Sequence, residues 1–174
     1  MQTSPHDLAW LNELDAEEAR KELLKCCGAT RWASGVEQSR PYRNAEDLLA
    51  RANDVWWSLT KNDWLEAFRG HPKIGEKKAA QAVAAQSQQW SAHEQRDVQD
   101  ATPEAIDNLA RLNREYEEKF GFIFIVCATG KSSDEILALL EQRLQNDPVA
   151  ELPIAAAEQA KITELRLRKL LEHS

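Results

Sequence analysis

Apolar residues recur along this chain at intervals of three and four, with almost no alternating runs, and that pattern predicts an all-α protein. Asp15 heads a stretch through Glu17, Ala19, Leu23 and Leu24 to Cys27, with Gly28 standing where a helix C-terminus ends. A short element over 31–37 follows. Asn44 opens a strong run with Leu48, Leu49, Ala52, Val55, Trp56 and Leu59 on one face. Asn62 or Asp63 starts another, which carries Trp64, Leu65 and Phe68 straight into Gly70-His71-Pro72. Residues 77–89 are rich in Ala and Gln, so helix propensity is high there while the apolar stripe is weak. Ser91 opens a further helix. Thr102-Pro103 opens a long one carrying Ile106, Leu109, Leu112, Asn113 and Tyr116, because proline is welcome at the first helical position. Ser132 or Ser133 caps a run through Ile136, Leu137, Leu140 and Leu144, and a last helix extends from about Pro153 through Ile162, Leu165 and Leu167 to Leu171. The expectation is a single compact domain over residues 1–174 with about eight helices, no sheet, no internal repeat and no linker.

One run departs from the helical period. Residues 120–128, Phe-Gly-Phe-Ile-Phe-Ile-Val-Cys-Ala, are apolar and rich in β-branched and aromatic side chains, the composition of a buried strand. A single strand without a partner leaves its backbone groups unpaired, so this run is expected to thread the core as irregular or helical backbone. At about nine residues it is also far shorter than the roughly twenty that span a bilayer.

Composition narrows the partners. The chain has 174 residues, 22 of them basic and 29 acidic, for a formal charge of −7 that repels phosphate backbones; nucleic acid is not expected as a partner. Neither is a membrane. The cysteines are Cys26, Cys27 and Cys127, an odd count with one adjacent pair, which suits a reducing compartment better than a disulfide framework. The first fourteen residues lack a basic segment followed by an apolar run, so a secretory signal is not expected and the cytoplasm is.

Chemistry concentrates in Gly70-His71-Pro72-Lys73-Ile74-Gly75-Glu76. Proline disfavours the α conformation in the residue before it, so His71 is held extended at a helix boundary. Imidazole gives and takes protons near neutrality, and a rigidly mounted one is a candidate for proton transfer. A histidine ending a helix and interacting with its last carbonyls fits the same residues. Ser91-Ala92-His93-Glu94-Gln95 likewise reads two ways. Ser-x-x-Glu is a capping box, and a helix N-terminus also presents free amides and polar side chains to a small ligand. His93 itself reads as a surface residue.

Other chemistries find little support. His71, His93, Glu94 and Cys127 have no metal-ligand spacing, so no metal is expected. Cys127 lies in apolar surroundings that suppress its thiolate, and Gly130-Lys131-Ser132 lacks the upstream glycine of a phosphate loop. On the last helix Arg166 and Arg168 point about 200° apart, so only one faces inward with ease. An inward guanidinium needs a carboxylate or a bound anion, since it cannot shed its charge.

Taken together, His71-Pro72-Lys73-Ile74-Gly75, Ser91-x-x-Glu94-Gln95, Phe120-Gly121-Phe122-x-Phe124-Ile125-x-Cys127-Ala128 and Lys161-Ile162-x-x-Leu165-Arg166-Leu167 resemble one family. It is that of 2-oxo-4-hydroxy-4-carboxy-5-ureidoimidazoline (OHCU) decarboxylase, and the likeness runs from about Leu8 to Leu171. The chain also resembles the decarboxylase half of plant allantoin synthase, without a counterpart of its transthyretin-like hydrolase half.

The resemblance implies a helical, cofactor-free enzyme, usually a homodimer, that decarboxylates OHCU to (S)-allantoin and CO2 in the last step of urate breakdown. It assigns His71 as catalytic together with Glu94 and Arg166. It places Pro72, the stretch Ser91, Ala92, His93, Glu94 and Gln95, the backbone of Phe124, Ile125, Val126, Cys127 and Ala128, and Arg166 against the substrate. The arginine rests on Leu-Arg-Leu, with Arg168 as the alternative two residues on. Two other functions fit the bare pattern: a helical module that binds a partner helix, and a hydrolase of a related ureido compound.

Overall fold

The structure is a computed structural model that describes residues 7–71 and 103–172; expectations for residues 72–102 lie outside the described residues. Eight helices and no strand occur among the described residues, as the all-α reading requires. They are α1 (Leu8–Glu13), α2 (Ala16–Leu24), α3 (Thr30–Gln38), α4 (Ala45–Ser58), α5 (Lys61–Arg69), α6 (Pro103–Phe120), α7 (Ser133–Arg143) and α8 (Pro148–Glu172).

Local chemistry sets most of these boundaries. Asp15, Asn44 and Ser132 cap α2, α4 and α7, each accepting an N–H three residues on. Pro103 takes the first position of α6 as expected. Elsewhere the structure corrects the reading. α2 stops at Leu24, three residues before Cys27, because Lys25, Cys26 and Cys27 turn back through bonds to Glu22 and Leu23 carbonyls. Gly28 therefore is not the stop; it lies where an added Cβ would come within 3.8 Å of the Ala67 backbone. α5 begins at Lys61, since Thr60 and Asp63 form a reciprocal cap in which Asp63 Oδ2 takes both the N–H and the hydroxyl of Thr60. α8 begins at Pro148, five residues ahead of Pro153, because Asp147 Oδ1 accepts from Ala150 N–H at 2.9 Å. Pro153 lies inside the helix, where it has no N–H to offer the Val149 carbonyl and leaves one bond of the ladder unmade. The short α1, capped by Asp7, was not expected at all.

The chain forms two compact units. The first comprises residues 1–67 and 160–174. Its core holds Leu11, Leu23, Trp32, Leu48, Leu167 and Leu170, all at most 1% exposed. Trp32 donates Nε1–H to the Ala52 carbonyl at 3.0 Å, so its one polar group is satisfied. α3 and α4 meet so closely at Gly35 that a Cβ there would lie 2.8 Å from Val55 Cγ1.

The second unit comprises residues 68–159. Its centre is a cluster of Phe68, Tyr116, Phe120, Phe122 and Phe124, with ring centroids 4.5–6.1 Å apart. Gly121 ends α6 at φ +82°, a conformation that costs a residue with a Cβ, and its N–H closes onto Glu117 O at 2.8 Å. From there the chain runs through 122–128 without helix or strand, and Phe122 and Phe124, Ile125, Val126, Cys127 and Ala128 are buried. The expectation of irregular backbone in the core is met.

Candidate active site

α5 ends at Arg69, and Gly70 leads to His71, whose N–H closes the turn onto Phe68 O at 3.2 Å. The ring is partly exposed. Its Nε2 lies 2.5 Å from Oε1 of Gln159, a side chain of α8 with no exposed surface. Pro72, Ser91, Ala92, His93, Glu94 and Gln95 lie outside the described residues.

Among the described residues the run Phe124 to Ala128 forms no strand ladder, and side chains satisfy part of its backbone. Arg143 Nη1 donates to Ile125 O at 2.6 Å, and Cys127 N–H donates to Glu158 Oε1 at 3.3 Å. Lys131 Nζ reaches Cys127 O at 2.9 Å. Arg143 is itself held: Nε and Nη2 donate to Glu151 Oε2 at 2.8 and 2.5 Å, and its guanidinium lies 4.6 Å from the centre of the Phe124 ring. Tyr116 hydroxyl and Asn146 Nδ2 complete the shell of the fully buried Glu151. Burial pushes the Tyr116 hydroxyl far above its ordinary pKa, so it remains a donor.

Glu158 and Gln159 are consecutive, so one turn of α8 touches both the imidazole and the apolar run. Neither had been singled out, nor had Arg143 or Glu151. A signal for one of the four exists: Gln159 lies seven residues before Arg166 on the stripe that also bears Ala155, Ile162 and Leu170, where the two are polar interruptions of an apolar face.

In the first unit Arg166 is 6% exposed, whereas Arg168 is exposed and bound to Glu164 at 3.0 Å and Glu46 at 3.6 Å. The inward arginine is Arg166. It lies beside Cys26 and Cys27, where its charge favours thiolate, but burial outweighs it and pushes Cys27 up to about 11 and Cys26 higher still. All three cysteines are buried, and none is in a disulfide. A cavity of about 250 Å3 in this unit, lined by Trp32, Trp56, Leu49, Asn53, Thr163 and Glu164 among others, contains none of the candidate catalytic or substrate-binding residues. Among the described residues no group of three or more His, Cys, Asp or Glu side chains is placed to hold a metal, and no helix is long and apolar enough to cross a membrane.

The profile of the OHCU decarboxylase family matches residues 12–168. The chain belongs to that family. The match spans every candidate residue from His71 to Arg166, the inward-facing one of the two arginines. Among relatives, the uric acid degradation bifunctional protein TTL of Arabidopsis thaliana is 38% identical over 88% of this chain, which spans 48% of that protein. A 2-oxo-4-hydroxy-4-carboxy-5-ureidoimidazoline decarboxylase of Amia calva is 34% identical, with 95% of each chain aligned. A crystal structure of OHCU decarboxylase in the presence of (S)-allantoin is 38% identical and superposes with a TM-score of 0.73 over 87% of this chain and 97% of that one. (S)-Allantoin synthase, 19% identical with a TM-score of 0.69 over 95% of this chain and 54% of that one, shares the fold. The chain thus spans about half of the bifunctional plant relative and nearly all of the single-function one.

Proposed function

We propose that this chain decarboxylates OHCU to (S)-allantoin and CO2 without a cofactor, in the cytoplasm, as a homodimer. One observation carries the reading: 38% identity along 97% of a chain whose structure was determined with (S)-allantoin. The odd number of cysteines, none of them in a disulfide, supports the compartment.

In the reaction the bond from the hydroxyl-bearing ring carbon to the carboxylate breaks, its electron pair is delocalised into the adjacent imine, the hydroxyl proton leaves as that carbon becomes a carbonyl, and a proton is added to the neighbouring carbon that bears the ureido group. The residues have protons and charge to manage. His71 takes the hydroxyl proton of the substrate and returns one to a single face of the ring, the Glu94 carboxylate stabilising the imidazolium in between, a contribution of about 10² to 10⁴ in rate. Arg166 and Gln95 hold the carboxylate or the developing oxyanion, each on the order of 3 kcal/mol in a water-poor site. The run from Phe124 to Ala128 supplies the apolar wall.

The test generates the unstable substrate in situ from urate and follows optical activity as allantoin accumulates. The full chain should give the (S) product faster than the blank, and His71→Asn should keep the fold while falling to the blank rate. Racemic product at the blank rate from the unaltered chain overturns the proposal.

A further inference from the structure

We propose that Gln159 is the positioning residue of His71, fixing the imidazole in the tautomer that carries its proton on Nε2. The inference rests on the reading of His71 as the proton-transfer residue, and it concerns a side chain outside the set that the family resemblance supplied.

Gln159 is fully buried in the middle of α8, and its Oε1 lies 2.5 Å from Nε2 of His71. An amide oxygen only accepts, so Nε2 must donate. A neutral imidazole has one N–H, and with that proton on Nε2 the basic lone pair falls on Nδ1. The structure therefore assigns Nδ1 as the nitrogen that takes a proton. The bond survives protonation, because imidazolium donates from both nitrogens, so the ring holds its orientation through a turnover.

A buried glutamine is a poor choice as filler, since its amide forfeits water and must be repaid by partners. Its neutrality is informative. A carboxylate in its place would raise the histidine pKa by about one unit or more, whereas an amide orients the ring without adding a charge beside it. The neighbouring carboxylate, Glu158, is engaged by the Cys127 N–H at 3.3 Å, which leaves the neutral oxygen of Gln159 as the group α8 presents to Nε2. The acceptor is also stiff, since an interior residue of a 25-residue helix moves only with that helix.

The experiment reads the ring directly. Imidazole nitrogen NMR on the full chain, with His71 assigned by the signals lost in His71→Asn, should show the Nε2–H tautomer in the unaltered protein. Gln159→Leu should give a mixture of tautomers and lower kcat about 10- to 100-fold with KM within about twofold, the loss expected when an orienting partner is removed. Gln159→Glu, which keeps the shape and the acceptor, should retain the tautomer and raise the His71 pKa by about one unit or more. A His71 tautomer and pKa unchanged in both variants overturn the proposal. The NMR readout needs no substrate. If the tautomer follows Gln159 while no optically active allantoin forms, the decarboxylase reading fails and the positioning role stands; if allantoin forms normally in Gln159→Leu, the positioning role fails alone.

Discussion

Replacing Arg143 with Met tests how the buried run of residues 122–128 is held. In the second unit Arg143 is 6% exposed and Glu151 0%, and Arg143 reaches both the Glu151 carboxylate and, at 2.6 Å, the Ile125 carbonyl. Methionine has similar length and no donors, so the change leaves a carboxylate buried without its countercharge. Breaking such a pair from one side costs about 3 to 5 kcal/mol. The carbonyl left without its donor adds about 1 to 3 kcal/mol, for a loss on the order of 4 to 8 kcal/mol. Against a typical stability of about 5 to 15 kcal/mol, that leaves a marginal or unfolded protein. Urea unfolding followed by tryptophan fluorescence measures it. The double variant Arg143→Met with Glu151→Leu removes both charges and should recover at least half the loss, because a buried pair replaced by apolar groups is often neutral in stability. A loss below about 1 kcal/mol in the single variant, or a double variant no better than the single, would refute the claim that this pair holds the wall.

Two further expectations follow from local geometry. Gly121→Ala forces a Cβ into φ +82° at the end of α6 and should cost about 1 to 2 kcal/mol in urea unfolding, although among the described residues none beyond its chain neighbours comes within 4 Å of the new methyl; an unchanged midpoint would mean that the backbone relaxes freely there. Asp47 accepts the Arg43 N–H at 2.9 Å and pairs with Arg51 at 3.1 Å, which holds its carboxyl down at about 2 in the folded chain. The depressed value means that its stabilisation is complete above about pH 4 and is lost as the pH falls toward 2, so the melting-temperature gap between the native chain and Asp47→Asn should be widest near neutrality and close over that window. A gap constant from pH 6 to 2 would show that the contacts do not distinguish carboxylate from carboxylic acid.

Sequence pattern revealed the helices whose signals are local. Asn44, Asp15 and Ser132 cap as their identities suggest, and apolar spacing placed the buried faces of α4 and α6. Boundaries failed where two local signals competed. Pro153 was read as an opening proline, yet Asp147 and Pro148 form a complete start one turn and a half earlier. Gly28 was read as a stop, yet the chain had already turned at Lys25. Among the candidate residues, His71 and Arg166 were visible because proline and apolar neighbours frame them. Gln159, Glu158, Arg143 and Glu151 were not, because what gives them meaning is a partner far along the chain: 88 residues for Gln159 and His71, 18 for Arg143 and Ile125. Helical periodicity identifies a buried face and is silent about which distant atom that face meets.

The adjacency of Glu158 and Gln159 on α8 makes the phase of that helix a single mechanical variable for two parts of the site. Deleting one residue between Pro153 and Glu158 would turn both side chains about 100° around the axis, withdrawing the acceptor from the imidazole and the carboxylate from the Cys127 amide together. Length changes in that stretch are therefore tolerable only in near-whole turns, so homologous chains that keep both contacts should vary there by substitution and hardly ever by insertion or deletion.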